Sequence, residues 1–243
     1  MRGAYALRTK IELVLPGLQA TAHRLFRSPH LVALYPEYLC ALHAIIRSTV
    51  PLMELALERS LRLADDDPVA RGVATYLRRH IREEQGHDEW VREDLAAIGF
   101  DPDEPLRRLP SPAVATLVGA QYYWIKHYHP ACLLGHIAVV EGYPPPRQLS
   151  DDLAARTGYP RAGFRTLERH AVLDTRHRDE LMETLDGLPL SPDLHKALGV
   201  SALHTVDGAT QVIEEVLASE SLPAPLASPT RQTQEVHHGA TKS

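Results

Sequence analysis

Cysteine is almost missing from this chain of 243 residues. Its two copies, Cys40 and Cys132, lie far apart with no CxxC spacing, which excludes a disulfide-stapled scaffold, a zinc knuckle and a redox dithiol. Both are expected as buried thiols. Excess basic charge is lacking too: 26 Lys plus Arg stand against 31 Asp plus Glu, a net −5, and no long basic run offers a track for DNA or RNA. No stretch approaches the roughly eighteen uninterrupted apolar residues of a membrane span, and Met1 to Lys10 lacks the apolar centre of a signal peptide. A cytoplasmic protein is expected. Alternating Val/Ile/Thr runs bounded by hairpin turns are nearly absent, which argues against a strand-built fold.

What remains is ordinary globular material. Hydrophobic residues make up 44% and charged residues 23% of a 27.0 kDa chain, enough for a sizeable core and unlike disorder or a fibre. Leu, Ala, Arg and Glu recur at helical spacing, so the fold class is all-α. A first helix is predicted over about 7–26, bent at Pro16. A second, long and apolar, begins near Pro36 and runs to about residue 63 with a kink at Pro51. Asp65-Asp66-Asp67-Pro68 supplies an N-cap and a first-turn proline for a helix over about 69–98 that stops at Gly99. Four prolines make 101–112 a loop. Helices follow over 113–141, interrupted near Pro130, over 151–157 and over 161–185, and 191–217 is read as two elements around Gly199. Residues 1–218 are expected to form one helical domain, and 219–243, without a hydrophobic face, a disordered tail.

Histidine is the unusual abundance, with 14 copies, and part of it falls on stripes. In "HIREEQGHDEW" (80–90), an unbroken helix places His80, Glu84 and His87 at roughly 0°, 40° and −20°. Glu84 and His87 form an ExxH pair, the spacing by which a carboxylate and an imidazole from successive turns reach one metal. Glu83 lies further off the stripe. Such a pair taken alone is more simply read as a solvated charged face. In "HAVLDTRH" (170–177), His170, Asp174 and His177 repeat the same angles, with only metal-ligand types at those positions. Glu141 closes the apolar run "LLGHIAVVE", where a carboxylate is costly to bury unless paired or metal-bound; the alternative is a helix-end carboxylate in water. Three carboxylates and three imidazoles without thiolate suit two first-row ions such as iron or manganese, and zinc fits the ligand types as well.

The order ExxH, lone Glu, HxxxDxxH in an all-helical chain resembles the heme-oxygenase-like di-iron oxidases and oxygenases, a group related in fold to thiaminase II and to the pyrroloquinoline-quinone synthase. The likeness covers about residues 30–217. It implies a heme-oxygenase-like helical bundle with Glu84, His87, Glu141, His170, Asp174 and His177 as iron ligands, two Fe(II) ions as cofactor and O₂ as co-substrate. Many members of the group carry a glutamate seven residues before the first-helix histidine. Here that position is His80, which stands as an added or substitute ligand or as a catalytic acid/base beside the metals. The resemblance further implies oxidation of a small organic substrate, an amino acid, amine or fatty acid, by N-oxygenation, desaturation or C–C cleavage.

Substrate contacts are sought on the second helix, where His43 and Arg47 lie four apart and the guanidinium is suited to fork onto a carboxylate; an interhelical tie is the bland reading. Tyr122, Lys126 and His129 form a second polar stripe, more simply read as core with polar tips. The expected partners are a small-molecule substrate, an external reductant and a second copy of the chain in a homodimer. Two other functions stay open: a thiaminase II-like enzyme with Cys132 as nucleophile, and a helical protein that binds metal without catalysis.

Overall fold

A computed structural model describes residues 3–219, and every regular element among them is helical. In chain order these are α1 (Gly3–Arg27), α2 (Leu31–Leu63), α3 (Pro68–Glu84), α4 (His87–Ala97), a single turn α5 (Glu104–Arg107), α6 (Pro112–Tyr123), α7 (Leu133–Val140), α8 (Leu149–Thr157), α9 (Arg165–Gly187) and α10 (Pro192–Ala218). The expected all-α class holds. The expected tail from 219 onward falls almost wholly outside the described residues.

Helix starts follow local chemistry. Asp67 accepts the backbone N–H groups of Val69 and Ala70 at 2.8 and 3.0 Å, with Pro68 in the first turn, and Ser111 and Ser191 cap α6 and α10 in the same way. Such caps each stabilise by about 1 kcal/mol. α2 begins at Leu31, five residues before the proline read as its start, and continues through Pro51 without interruption. α2 alone among the described residues is long and apolar enough to cross a membrane by length and composition. Here it packs against α3, α4, α6 and α10.

Besides the early start of α2 and the single turn α5 inside the expected loop, the sequence reading fails at two further places. Residues 192–218 form one helix, not two, because Gly199 stays helical beside the Lys10 side chain. The helix expected over 69–98 is two helices: Gln85 turns extended (ψ 125°) and Gly86 takes a left-handed conformation (φ +84°), so His87 opens a new helix. Glycine enters that region without the Cβ clash other residues meet. After α6, Trp124–Tyr128 widens into a π-turn and Pro130–Cys132 tightens into a 3₁₀ turn before α7.

The main core gathers Leu7 and Ile11 (α1), Leu52 and Met53 (α2), Leu77 and Ile81 (α3), Leu134 and Ile137 (α7), Leu181 (α9) and Leu198 (α10). A second core joins Tyr35 and Leu39 of α2 to Val91, Leu95 and Phe164. Each such side chain contributes roughly 1.5–3 kcal/mol by leaving water. α7 lies so close to α10 that a Cβ on Gly135 would meet the Leu198 carbonyl oxygen at 2.4 Å. The ends of α3 and α7, the start of α4 and the middle of α9 thereby converge.

Candidate metal centre

Polar side chains are concentrated where these elements meet. His80 and Glu84 come from the last turn of α3, His87 from the first residue of α4, Glu141 from the residue after α7, and His170, Asp174 and His177 from one face of α9. His80, Glu84, His87, Glu141, Asp174 and His177 are all buried, and His170 is half-buried. The stripe geometry predicted for α9 is correct. That predicted for 80–87 holds only for His80 and Glu84; His87 reaches its neighbours through the turn at Gly86, with its Nδ1 3.1 Å from Glu84 Oε2.

Two donor groups result, each with ligand atoms within 4.8 Å of one another: His80, Glu84, Glu141 and His177 form one, and Glu84, His87 and His170 the other. Glu84 belongs to both. A first-row ion with donors about 2.0–2.2 Å away separates opposite donors by about 4.4 Å, the scale of these groups. His80, weighed as a catalytic acid/base or as a ligand, sits inside the first group. Asp174 is buried against the site without belonging to either group. Glu83 stays at the edge, 3.5 Å from His177 Nε2 and paired with Arg176.

The hydrogen bonding of the site is incomplete in the way a cation site requires. His80 Nε2 donates to Glu141 Oε1 at 3.1 Å. His80 Nδ1, Glu84 Oε1, His87 Nδ1, Glu141 Oε2, Asp174 Oδ1 and both ring nitrogens of His177 are buried with no hydrogen-bond partner. His177 Nδ1 lies 3.2 Å from Glu141 Oε2 and 3.4 Å from Glu84 Oε1 but is aligned with neither. An unmet buried polar atom costs about 1–3 kcal/mol, and seven at one spot fit a set of donors aimed at a common positive charge. The residues therefore fit two divalent ions.

Electrostatics agree. Burial would raise the Glu141 carboxyl, but His177 and His80 outweigh it and hold it down to about 2. Burial, then the charges of Glu141 and Glu84, push Asp174 up to about 9, so it carries a proton at neutral pH. Burial lowers His80, yet the hydrogen bond and charge of Glu141 and the charges of Glu84 and Glu83 raise it overall. His170 is lowered, chiefly by burial, which favours the neutral imidazole that ligates metal. Its Nδ1 donates to the Thr166 carbonyl at 2.8 Å, leaving Nε2 for a ligand bond.

Several neighbours were not singled out from the sequence. The Tyr76 ring stacks on His80 with centroids 5.0 Å apart, and Trp90 stacks on His87 at 3.9 Å under the Arg169 guanidinium. Asp94, fully buried on α4, accepts the Arg165 and Thr166 N–H groups at 3.0 and 2.9 Å. Its signal was legible: a carboxylate among Val91, Leu95 and Ile98, seven residues after His87.

The remaining sequence candidates are dispersed. His43 is buried, with neither ring nitrogen hydrogen-bonded, and burial is the main cause that lowers it; Asp88, Arg47, Arg92 and Glu89 are its charged neighbours. Arg47 is exposed in a groove of about 560 Å³ between α2, α6 and α10 that includes none of the metal-site residues. Tyr122 lines that groove. Lys126 leans toward the Tyr122 ring, and His129 is spent on Asp67 (2.8 Å) and on the Ala131 N–H. Cys132 is buried and burial pushes its thiol up to about 12, which opposes the thiolate a nucleophile needs.

Solved structures share the architecture. A domain of unknown function with a heme oxygenase-like fold from Shewanella denitrificans is 19% identical, with a TM-score of 0.71 over 89% of this chain and 90% of that one. A CADD-like protein of unknown function from Nostoc punctiforme is 16% identical (TM-score 0.69, 90% and 99% covered). A TenA homolog from Pseudomonas syringae pv. tomato is also 16% identical (TM-score 0.66, 87% and 92% covered). At these identities the likeness establishes the heme-oxygenase-like fold alone. No curated protein matches the chain. The family described as iron-containing redox enzyme matches residues 36–210, nearly three quarters of the sequence and the whole of the donor cluster, and the chain belongs to that family.

Proposed function

We propose that this protein is a non-heme di-iron oxidase or oxygenase that uses O₂ to oxidise a small organic substrate, an amino acid, amine or fatty acid. The observation that carries the reading is the carboxylate of Glu84, common to two donor groups, which is the arrangement of a bridging ligand between paired ions. Glu84, Glu141, His80 and His177 would hold one iron, and Glu84, His87 and His170 the other, with Asp174 beside them. When bound, two ferrous ions supply the electrons that activate O₂.

The chain's own residues supply the rest. Burial of the donors excludes bulk water and strengthens every charge interaction at the site. The Thr166 carbonyl holds the His170 Nδ1 proton, so the opposite nitrogen stays free for metal. Asp174 holds a proton on its carboxyl until a cation approaches. The exposed Arg47 guanidinium and the unpartnered His43 ring are the candidate substrate contacts on α2; a cytoplasmic homodimer served by an external reductant completes the reading.

Anaerobic Fe(II) titration with Mössbauer spectroscopy tests the proposal. Two ions per chain are expected, and Glu84→Ala should weaken both, since removing a shared anion leaves two dications under-neutralised. One tightly bound ion at most, unaffected by Glu84→Ala, would overturn it.

A further inference from the structure

The helix that carries two of the proposed ligands, His170 and His177, starts without a cap of its own. Phe164 precedes α9 and offers no side-chain acceptor, although the first N–H groups of any helix lack internal partners. Two of them are met from another helix. Asp94 of α4 takes the Arg165 N–H on Oδ1 (3.0 Å) and the Thr166 N–H on Oδ2 (2.9 Å) and is itself fully buried. A carboxylate at a helix N-terminus also meets the positive end of its dipole.

Two facts join this contact to the metal centre. Asp94 lies seven residues after His87, so on α4 the two project from nearly one face, about 20° apart. Thr166, whose N–H Asp94 holds, gives its carbonyl to His170 Nδ1 at 2.8 Å. A chain of contacts thus runs from α4 through Asp94 and Thr166 to His170, and returns to α4 at His87, whose ring meets that of His170 edge to face at 5.2 Å. The glycine at 163 lets the segment come this close, because a Cβ there would strike Ile98 Cγ2 at 2.2 Å.

We propose that Asp94 is a positioning residue that pins the start of α9 to α4 and, through Thr166, aims His170 at Glu84 and His87. The inference rests on the di-metal reading for its metal arm only. A cap that served stability alone would leave the two donor groups equally affected when lost. A positioning residue affects the group that contains His170 and spares the group built from α3, α7 and His177.

The test compares wild type, Asp94→Ala, Asp94→Asn and the remote cap variant Ser111→Ala by Zn(II) titration, and measures amide hydrogen exchange of the metal-free proteins. In Asp94→Ala one of two ions should bind about 10- to 100-fold more weakly, the range for losing a partner that orients a ligand, with the other unchanged. Asp94→Asn, which keeps one acceptor oxygen, should fall between, and Ser111→Ala should leave both ions alone. Exchange should quicken across residues 165–172 and not across α3. Equal weakening of both ions, no weakening of either, or unchanged exchange at 165 and 166 would overturn the proposal. If wild type binds a single ion, the di-metal reading fails separately, and the exchange measurement, which needs no metal, decides whether Asp94 anchors α9.

Discussion

In the metal-free protein, Asp174→Asn should be stabilising. Asp174 is 3% exposed, its Oδ1 has no partner, and burial with the charges of Glu141 and Glu84 raises it from 3.8 to about 9. A carboxyl whose folded value lies above its unfolded value costs nothing below about pH 4. It becomes progressively unfavourable as pH climbs toward 9, because the unfolded chain sheds a proton that the folded chain keeps. At 1.36 kcal/mol per unit, the cost is about 2 kcal/mol at pH 5 and about 4 kcal/mol at pH 7. Asparagine has nearly the same shape and no proton to keep, so it should recover most of that amount. Urea unfolding of metal-free wild type and variant at both pH values measures it. Zn(II) should erase the difference, since a neighbouring dication favours ionised Asp174. A gain identical at pH 5 and pH 7, or a loss at pH 7, would refute the electrostatic argument.

Gly86→Ala should cost about 1 kcal/mol through its positive φ and weaken the ion held by His87 more than the ion held by His80 and Glu141; paired denaturation and metal titration check both. Cys132→Ser should retain iron binding and O₂ consumption, because its thiol is buried and unionised; loss of O₂ uptake with iron content intact would show that the thiol takes part in the reaction.

The sequence made the donor set legible because ligand chemistry restricts residue types, and because α9 is an unbroken helix in which angular arithmetic is valid from His170 to His177. The same arithmetic was unsafe across Gln85-Gly86. One left-handed glycine resets the phase of everything after it, so His87 arrives at the right place by a route the stripe did not describe. Helix α10 fails in the opposite sense: Gly199 reads as a breaker but is a helical residue where the Lys10 side chain passes close. His43 and Arg47 lie one turn apart on α2, yet the bundle gives His43 a buried place and Arg47 an exposed one, since neighbours on one helix face can border different elements.

Asp94 shows why the rest left only a faint trace. Its partners lie 71 and 72 residues away and are backbone groups, so no side-chain pattern marks them. The visible trace is one carboxylate on an apolar stripe, and burial without a local partner is what separates such a residue from surface charge. The same test sorts the other acids. Glu89 is exposed and paired with Arg92, whereas Glu84 and Glu141 are buried against imidazoles with oxygens left unmet. A buried carboxylate that finds protein donors, as Asp94 does, holds helices together; one whose oxygens stay unmet keeps a proton, as Asp174 does, or is matched to a cation. By that criterion α4 carries its structural acid, Asp94, about two turns beyond the proposed metal ligand His87, and the contacts of the first would set the aim of His170 toward the second.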